Sequence, residues 1–251
     1  MKKIIYFSGT GNTKILAEKL SSLINVDVHS IEDDINWEAY LDEANKIIFM
    51  YPIYYSMPPM IVRDFISKYY NCFENKKVIS LITQMCFSGD GARIIEDFLP
   101  ESCEVVYTRH FNMPNNIPNI PFVPIASEKG KERKIKRAVK KLEKSSKEIY
   151  KEEWKRRATS NFSKKLGDLQ RKEVFEREKE HVKKVWVNDD CIACGLCEKI
   201  CPKNNFIIKD NTAVPQDKCT LCLRCENKCP KKAIRVLIKK PIKKQYSFKL
   251  K

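Results

Sequence analysis

The residues best suited to chemistry are eight cysteines near the carboxyl end of this 251-residue chain, which has eleven cysteines in all. They form two runs that share the spacing C-x2-C-x2-C-x3-C-P. The runs comprise Cys191, Cys194, Cys197 and Cys201 before Pro202, and Cys219, Cys222, Cys225 and Cys229 before Pro230. Three thiolates separated by two residues can reach three irons of one cubane, whereas the fourth points toward another cubane. The spacing therefore predicts two [4Fe–4S] clusters with exchanged fourth ligands.

The same rule assigns four ligands to each cluster. The predicted sets are Cys191, Cys194, Cys197 and Cys229 for one cluster, and Cys201, Cys219, Cys222 and Cys225 for the other. Zinc is an alternative, but a four-ligand zinc site leaves the third cysteine of each run unexplained. Disulfides would need an oxidising compartment, and the apolar run at the amino end is too short for a signal peptide. We therefore expect a reduced, cytoplasmic protein.

Residues 185–238 resemble the bacterial two-cluster ferredoxins along their whole length, including the prolines that follow both cysteine runs. The resemblance implies a small α+β domain that binds two [4Fe–4S] clusters and passes single electrons. Within it, the apolar run Ala233–Ile238 is predicted to form a short strand.

A second reactive stretch lies near the amino end, between the apolar run Lys2–Phe7 and the helical pattern of Lys14–Ile24. It is rich in glycine and hydroxyl groups and reads Ser8, Gly9, Thr10, Gly11, Asn12 and Thr13. A helix N-terminus offers free N–H groups and the positive end of its dipole to an anion. Because the loop has neither a G-K-[ST] ending nor the pattern G-x-G-x-x-G, a nucleoside triphosphate and a dinucleotide are disfavoured.

This loop resembles the FMN-phosphate loop of flavodoxins, [ST]-x-T-G-N-T, at all six positions. The resemblance implies an FMN-binding domain in which two further loops enclose the isoalloxazine ring. By position, one side would be formed by Pro52, Ile53, Tyr54 and Tyr55. The other side would be formed by Thr83, Gln84, Met85, Cys86, Phe87, Ser88, Gly89, Asp90 and Gly91. Either Tyr54 or Phe87 stacks on the ring, or the tyrosines are ordinary core and surface aromatics.

The elements that must position these loops alternate between strands and helices. Short apolar runs predict strands at Lys2–Phe7, Val26–Ser30, Ala44–Met50, Lys77–Thr83 and Cys103–Phe111. Helical periodicity predicts helices at Lys14–Ile24, Pro59–Tyr70 and about Ala92–Phe98. The alternation indicates an α/β fold with a flavodoxin-like, doubly wound, five-stranded parallel sheet. All three loops follow predicted strands, so we expect them to converge beyond the carboxyl ends of the sheet.

Charge divides the chain into three segments, although the net charge is +16 overall. The predicted segments are a flavodoxin-like FMN-binding domain at 1–126, a basic helical connector at 127–184, and a ferredoxin domain with a basic tail at 185–251. The connector is predicted to form helices at Ser127–Trp154 and about Ser163–Lys179.

The charge of this connector fits either a solvated helix face or a docking surface for acidic redox partners. Nucleic acid is disfavoured because the sequence has no recognition motif for it. No apolar run is long enough for a membrane span, and the sequence leaves the oligomeric state open.

The run F-x-M-P at Phe111–Pro114 extends the resemblance to proteins that fuse a flavodoxin to a two-cluster ferredoxin. This resemblance implies an electron-transfer protein that carries FMN and two [4Fe–4S] clusters. Two alternatives stay open. An FMN-dependent reductase would need a proton donor near the flavin, for which Tyr54, Tyr55 and Asp90 are the candidates. A redox sensor would instead change its affinity for a partner with the state of its clusters.

Overall fold

The structure is a computed structural model that describes residues 1–248. Its contacts divide the chain into two compact units. Unit 1 comprises Met1–Met113 and Glu132–Lys172, and unit 2 comprises Pro114–Lys131 and Glu173–Lys251. The chain therefore leaves unit 1 after Met113, returns to it at Glu132 within the basic connector, and leaves it again after Lys172. The predicted boundaries at 126/127 and 184/185 divide the sequence by charge and stay predictions.

Unit 1 is built on a five-stranded parallel sheet, which confirms the predicted fold class. Its strands are β1 (Lys2–Tyr6), β2 (Val28–Ser30), β3 (Lys46–Pro52), β4 (Lys77–Gln84) and β5 (Glu104–Asn112). Their order is β2-β1-β3-β4-β5, and every neighbouring pair is parallel. The inner strands β3 and β4 are buried along nearly their whole length, because helices cover both faces of such a sheet. Their continuous apolar runs therefore gave a strong sequence signal.

Of the helices that follow these strands, the first and third lie where they were predicted, and the second was not predicted. The helices are α1 (Asn12–Ile24), α2 (Trp37–Asp42), α3 (Met60–Lys68), α4 (Glu128–Tyr150) and α5 (Asn161–Arg171). The helix predicted at Ala92–Phe98 is instead a short 3-10 segment at Ile94–Phe98. There the N–H of Glu96 bonds the carbonyl of Arg93, three residues back, at 2.9 Å. The stretch before Pro100 is too short to settle into a stable α-helix.

The connector breaks into more elements than its periodicity indicated. The predicted helix Ser127–Trp154 is α4, which ends before Glu152 adopts a left-handed φ of 57°. The predicted helix Ser163–Lys179 is two helices, α5 and α6 (Val174–Lys183). Ser160 caps α5 by accepting the N–H of Ser163 at 3.2 Å, a cap that moves the start of the helix to Asn161.

Unit 2 carries short elements around the two cysteine runs. These are β6 (Trp186–Val187), α7 (Leu196–Ile200), β7 (Phe206–Lys209), β8 (Thr212–Pro215), α8 (Arg224–Lys228) and β9 (Ile234–Arg235). β6 pairs with β9, and β7 forms a hairpin with β8. The strand predicted at Ala233–Ile238 is therefore only two residues long, because its partner β6 offers only two residues for pairing.

The basic tail packs back onto unit 2 as far as it is described. Tyr246 is 1% exposed, and its N–H donates to Asn227 Oδ1 at 2.7 Å. Residues 249–251 of the predicted tail lie outside the described residues. Among residues 1–248, no helix has the length and apolar character that crossing a bilayer requires.

Candidate cofactor sites

Four cysteines from both runs line one apolar cavity in unit 2. The cavity is bounded by Cys191, Cys194, Cys197 and Cys229, together with Ile192, Ile208, Ala213 and Ile234. Cys229 belongs to the second run in sequence but joins three cysteines of the first run in space. The cavity therefore gathers the set of thiols that the spacing assigns to one cluster.

The remaining four cysteines are also close to one another. Burial, followed by the charges of Cys222 and Cys201, raises the pKa of Cys219 to about 12. Burial raises the pKa of Cys225 as well, and the same neighbouring sulfurs add to the effect. Cys201 of the first run is thus near enough to Cys219 and Cys225 of the second run for its charge to act on theirs. Such buried thiols lose their protons readily only to a metal, because bare thiolates are poorly stabilised there.

Backbone N–H groups point at several of these sulfurs. Asn205 donates to Cys201 Sγ at 3.2 Å, and Leu221 donates to Cys219 Sγ at 3.3 Å. Ala233 donates to Cys229 Sγ at 3.3 Å. Hydrogen bonds of this kind stabilise anionic sulfur and help to set the potential of a bound cluster. The donor set and its surroundings therefore fit iron–sulfur clusters.

The loops that carry the two cysteine runs also share a backbone conformation, which could not be predicted from the sequence. Ala193 and Gly195 have positive φ values of 50° and 72° in the first loop. Their equivalents 28 residues later, Leu221 and Leu223, have values of 57° and 61°. Only one of these four positions holds the glycine that such a conformation favours. The repeated left-handed positions curl both loops in the same way.

Single-ion binding is a separate question from cluster binding. Within residues 1–248, no three His, Cys, Asp or Glu side chains are grouped tightly enough to hold one metal ion. In a cubane each thiolate binds a different iron, so the four sulfurs surround a larger body than one ion.

In unit 1, the residues predicted to bind phosphate surround the N-terminus of α1. Gly11 adopts a φ of 102° as the N-cap, and its N–H donates to Ser8 Oγ at 3.1 Å. A Cβ at Gly11 would meet no atom within 4 Å, so the loop is open in front of it. Thr13 is buried, and its hydroxyl lies 2.8 Å from that of Thr83. The first turn of α1 contains no acidic residue, which leaves the positive dipole end available to an anion.

The first predicted ring loop, Pro52–Tyr55, ends in a tight turn. Tyr54 and Met57 exchange backbone hydrogen bonds at 3.0 and 2.8 Å. Between them, Tyr55 and Ser56 both have left-handed φ values, 50° and 58°. This is the geometry of a two-residue hairpin turn, and it is unusual without glycine or asparagine. The N–H of Ile53 donates to the carbonyl of Thr83 at 2.9 Å, which ties this loop to the end of β4.

The second predicted ring loop, Thr83–Gly91, is mostly buried, with Cys86 and Phe87 exposed. Ser88 Oγ donates to Gln84 Oε1 at 2.6 Å, which closes the loop on itself. The N–H of Ala92 donates to His110 Nε2 at 3.3 Å, which fixes the far end of the loop to β5. The structure thus brings the phosphate loop and both ring loops to the carboxyl ends of β1, β3 and β4.

Asp90 has a different environment from the one that a proton donor needs. Its side chain is 0% exposed, and it pairs with Arg93 at 2.8 Å and with Arg171 at 2.7 Å. Both carboxylate oxygens are therefore occupied by guanidinium groups and are shielded from any substrate. Sequence reasoning missed Arg171, because it belongs to a connector helix 81 residues further along the chain. Of the three candidate donors, only Tyr54 and Tyr55 keep partial exposure.

Family models match both units. Residues 3–114 match the model described as a flavodoxin domain. Residues 184–206 and 213–235 match two copies of the model described as a 4Fe-4S binding domain. The matches cover the phosphate loop, both ring loops and all eight cysteines of the two runs. A search of curated proteins gave no match.

Several solved structures are similar to unit 1. A Fusobacterium nucleatum flavodoxin bound to flavin mononucleotide is 14% identical, covers 61% of this chain and 98% of its own, and has a TM-score of 0.42. Flavodoxin 1 from Bacillus cereus is 18% identical, with 60% and 98% covered and a TM-score of 0.39. A flavodoxin from the domain Archaea is 21% identical, with 59% and 99% covered and a TM-score of 0.38. The fold is established here by strand order and by the family model rather than by these scores.

Proposed function

We propose that this chain, which joins a flavodoxin domain to a 4Fe-4S binding domain as in flavodoxin/ferredoxin fusions, relays electrons between FMN and two [4Fe–4S] clusters. The two domain types support a redox role in electron transfer. One observation carries the finer proposal. Cys229 lines one cavity together with three cysteines of the first run, and the charge of Cys201 acts on Cys219 and Cys225 of the second run. Such an exchange is the arrangement that two neighbouring cubanes need.

In this proposal the FMN phosphate is held by residues 8–13. The N-terminus of α1 has no acidic residue in its first turn and open space in front of Gly11, which suits an anion. The ring is held between residues 52–55 and 83–91. Ile53 bonds Thr83 at the end of β4, and Thr13 of the phosphate loop bonds the hydroxyl of the same residue. When bound, FMN accepts one or two electrons and each cluster passes one. The residues of the two loops orient the ring and limit its contact with water.

The proposed cluster ligands are the two cysteine groups already described. Apolar side chains line the first group, which lowers the local dielectric around the sulfurs. The N–H groups of Asn205 and Leu221 offset the negative charge of the second group. These contacts, rather than any acid or base, are what the protein contributes to one-electron transfer.

We further propose that the partners are cytoplasmic redox proteins with acidic surfaces. Residues 128–184 contain 22 Lys and Arg against 11 Asp and Glu, a surplus of 11 positive charges. On α4, Arg133, Arg137 and Lys140 are all exposed. Exposed charge of one sign steers a partner of opposite charge and raises the rate of encounter.

The test is anaerobic purification or reconstitution followed by cofactor analysis and redox titration. We expect about eight irons, about eight sulfides and one FMN per chain. When the clusters are reduced first, the flavin absorbance is expected to bleach on standing without any added mediator. A colourless protein would end the proposal, and so would FMN that stayed oxidised beside reduced clusters for hours. If the protein contained zinc and no sulfide, the cysteines would form a zinc site instead of iron–sulfur clusters.

A further inference from the structure

One side chain of α5 touches the second loop that is predicted to enclose the flavin and the residue that directly follows the first loop. Arg171 is 9% exposed at the end of the helix. Its Nη1 donates to Asp90 Oδ1 at 2.7 Å, in the second ring loop, and to the carbonyl of Ser56 at 3.1 Å, beside the first. Its Nη2 donates to Asp168 Oδ1 at 2.6 Å, which fixes the guanidinium to its own helix. The contact joins three segments that are far apart in the sequence.

The rest of the α5 face fits the same two loops. Gly167 lies so close to Gly89 that a Cβ on Gly89 would meet the Gly167 nitrogen at 2.5 Å. A Cβ on Gly167 would collide with the carboxylate of Asp90 and would meet Arg171 Nη1 at 2.7 Å. Glycine is therefore required at the crossing, although a helix interior ordinarily disfavours it.

A glutamine next to Arg171 repeats the bridge. Ser56 Oγ donates to Gln170 Oε1, and Gln170 Nε2 donates to the carbonyl of Phe87 at 3.3 Å. Two consecutive residues of α5 therefore each contact Ser56, directly after the first ring loop, and a residue of the second ring loop. Packing α5 onto the rest of unit 1 would need contacts to only one of the two loops. These polar contacts reach the second loop and the residue directly after the first, and therefore tie the two loops to each other.

The chemistry of the pair explains why arginine is required. Asp90 is fully buried, and a buried carboxylate is tolerated only where paired donors satisfy it. Arg93 takes one carboxylate oxygen, and Arg171 takes the other. The planar guanidinium can reach a carboxylate and a carbonyl at fixed angles, which a lysine ammonium does less well.

We propose that Arg171 is a positioning residue that clamps the loops 53–57 and 87–91 together and thereby sets the width of the flavin slot. This inference rests on the proposed function only for the identity of the ligand between the loops. The clamp itself is a property of the protein without FMN. It predicts that loosening α5 weakens FMN binding and shifts the flavin potential without displacing the clusters.

The test compares two loosened variants with two matched controls in the full-length protein. Arg171→Met removes the arginine bridge and leaves the one through Gln170. Arg93→Met removes the other partner of Asp90 while leaving Ser56 bound to Arg171. Gly167→Ala pushes α5 away from Asp90 with every charge retained. Gly130→Ala is its control on α4, because the nearest atom to a Cβ there is the hydroxyl of the exposed Ser127 at 3.3 Å, which needs to shift by only a few tenths of an ångström. FMN affinity, flavin midpoint potential and hydrogen exchange of the FMN-free protein are measured for each.

Arg171→Met and Gly167→Ala are each expected to weaken FMN binding by about tenfold or more, the scale of one lost charge-assisted hydrogen bond. Both are expected to speed hydrogen exchange in 53–57 and 87–91 together. Arg93→Met is expected to speed exchange only in 87–91, and Gly130→Ala should match the parent protein. Faster exchange in only one loop of Arg171→Met would overturn the clamp.

The two proposals fail in different ways. If the parent protein bound no FMN, the proposed function would fall, and hydrogen exchange would still decide whether the clamp exists. If the parent bound FMN and both loosened variants kept its affinity, potential and exchange, the clamp would fall alone. Should Arg171→Met fail to fold, Gly167→Ala carries the same measurements.

Discussion

Cys201 is the residue that most sharply distinguishes exchanged ligands from two independent loops. It lies in the first run by sequence and beside Cys219 and Cys225 in space. We expect Cys201→Ser to lose about half of the iron, because one of two cubanes lacks its fourth thiolate. The cluster that remains should have the potential and EPR spectrum of the one left by Cys225→Ser. The cluster that remains in Cys197→Ser should have a different potential and EPR spectrum, because that substitution removes the other cluster.

A control separates ligand loss from general damage. Cys86→Ser changes an exposed cysteine of unit 1 and is expected to keep all of the iron. If Cys201→Ser instead matched Cys197→Ser, each run would hold its own cluster and the exchange would be wrong.

His110 makes the stability of unit 1 depend on pH. Burial, followed by the charge of Lys141, lowers the pKa of His110 from 6.5 to about 4; Asp90 opposes the shift and Arg109 adds to it. The unfolded chain therefore binds the proton first, and folding stability is complete above pH 6.5 and falls as the pH drops toward 4. Protonation would also remove the acceptor that holds the Ala92 N–H. The loss is expected to reach about 2 kcal/mol at pH 5.

Urea unfolding of the FMN-loaded protein, followed by flavin fluorescence, measures this loss between pH 7.5 and 5. In His110→Gln the loss of folding stability between pH 7.5 and 5 should be smaller by about 2 kcal/mol, because glutamine does not titrate. His29→Gln is the control, since His29 lies on β2 and pairs only with Asp33 among the described ion pairs. An unchanged slope in His110→Gln would assign the pH dependence to other groups.

At the scale of elements, α4 is attached to the edge strand β5 through one buried carboxylate. Tyr107 Oη donates to Glu148 at 2.5 Å, and Arg157 Nη2 donates to both of its oxygens at 2.8 and 2.9 Å. Burial raises the pKa of Glu148, but the bonds from Tyr107, Arg157 and Lys155 outweigh it and lower the pKa to about 2. The carboxylate is therefore charged at neutral pH and joins α4, β5 and the segment after α4.

Glu148→Gln is expected to destabilise unit 1 by about 2 kcal/mol, because Arg157 loses its only described acidic partner. The measurement is the change in urea midpoint at constant m-value. Glu143→Gln, on the exposed side of the same helix, should change the free energy of unfolding by less than about 0.5 kcal/mol. Equal effects of the two substitutions would show that the network does not hold α4 in place.

The elements also show where sequence reasoning succeeds and where it stops. The runs of β3 and β4 are apolar because both faces are covered, and the loop after β1 has a local pattern, so both were predictable. α2 is only six residues long, and its one local signal was the Asn36 cap, which accepts the N–H of Ala39. Arg171 could not be assigned to Asp90, because periodicity reports which face of a helix is buried and not what it packs against.

For the molecule as a whole, positive charge is concentrated outside the sheet of unit 1. Residues 1–127 carry 11 basic and 15 acidic residues, whereas 128–184 carry 22 and 11. If this surplus steers acidic partners, electron transfer from a strongly acidic ferredoxin should slow as salt rises. We expect at least about a tenfold decrease in the second-order rate between 0.05 and 0.5 M ionic strength, because the Debye length falls well below 10 Å.

The location of the steering charge can be tested with charge-matched pairs of substitutions. Arg137→Glu with Lys140→Glu reverses two exposed charges on α4, and Lys68→Glu with Lys77→Glu reverses two exposed charges elsewhere on unit 1. Both pairs change the net charge by four. If only the total charge of the protein mattered, both pairs would therefore weaken the salt dependence of the rate equally. The α4 pair should flatten it more and slow transfer at low salt, while reduction by a small uncharged donor stays constant in both. Equal flattening would mean that total charge, rather than the connector, attracts the partner.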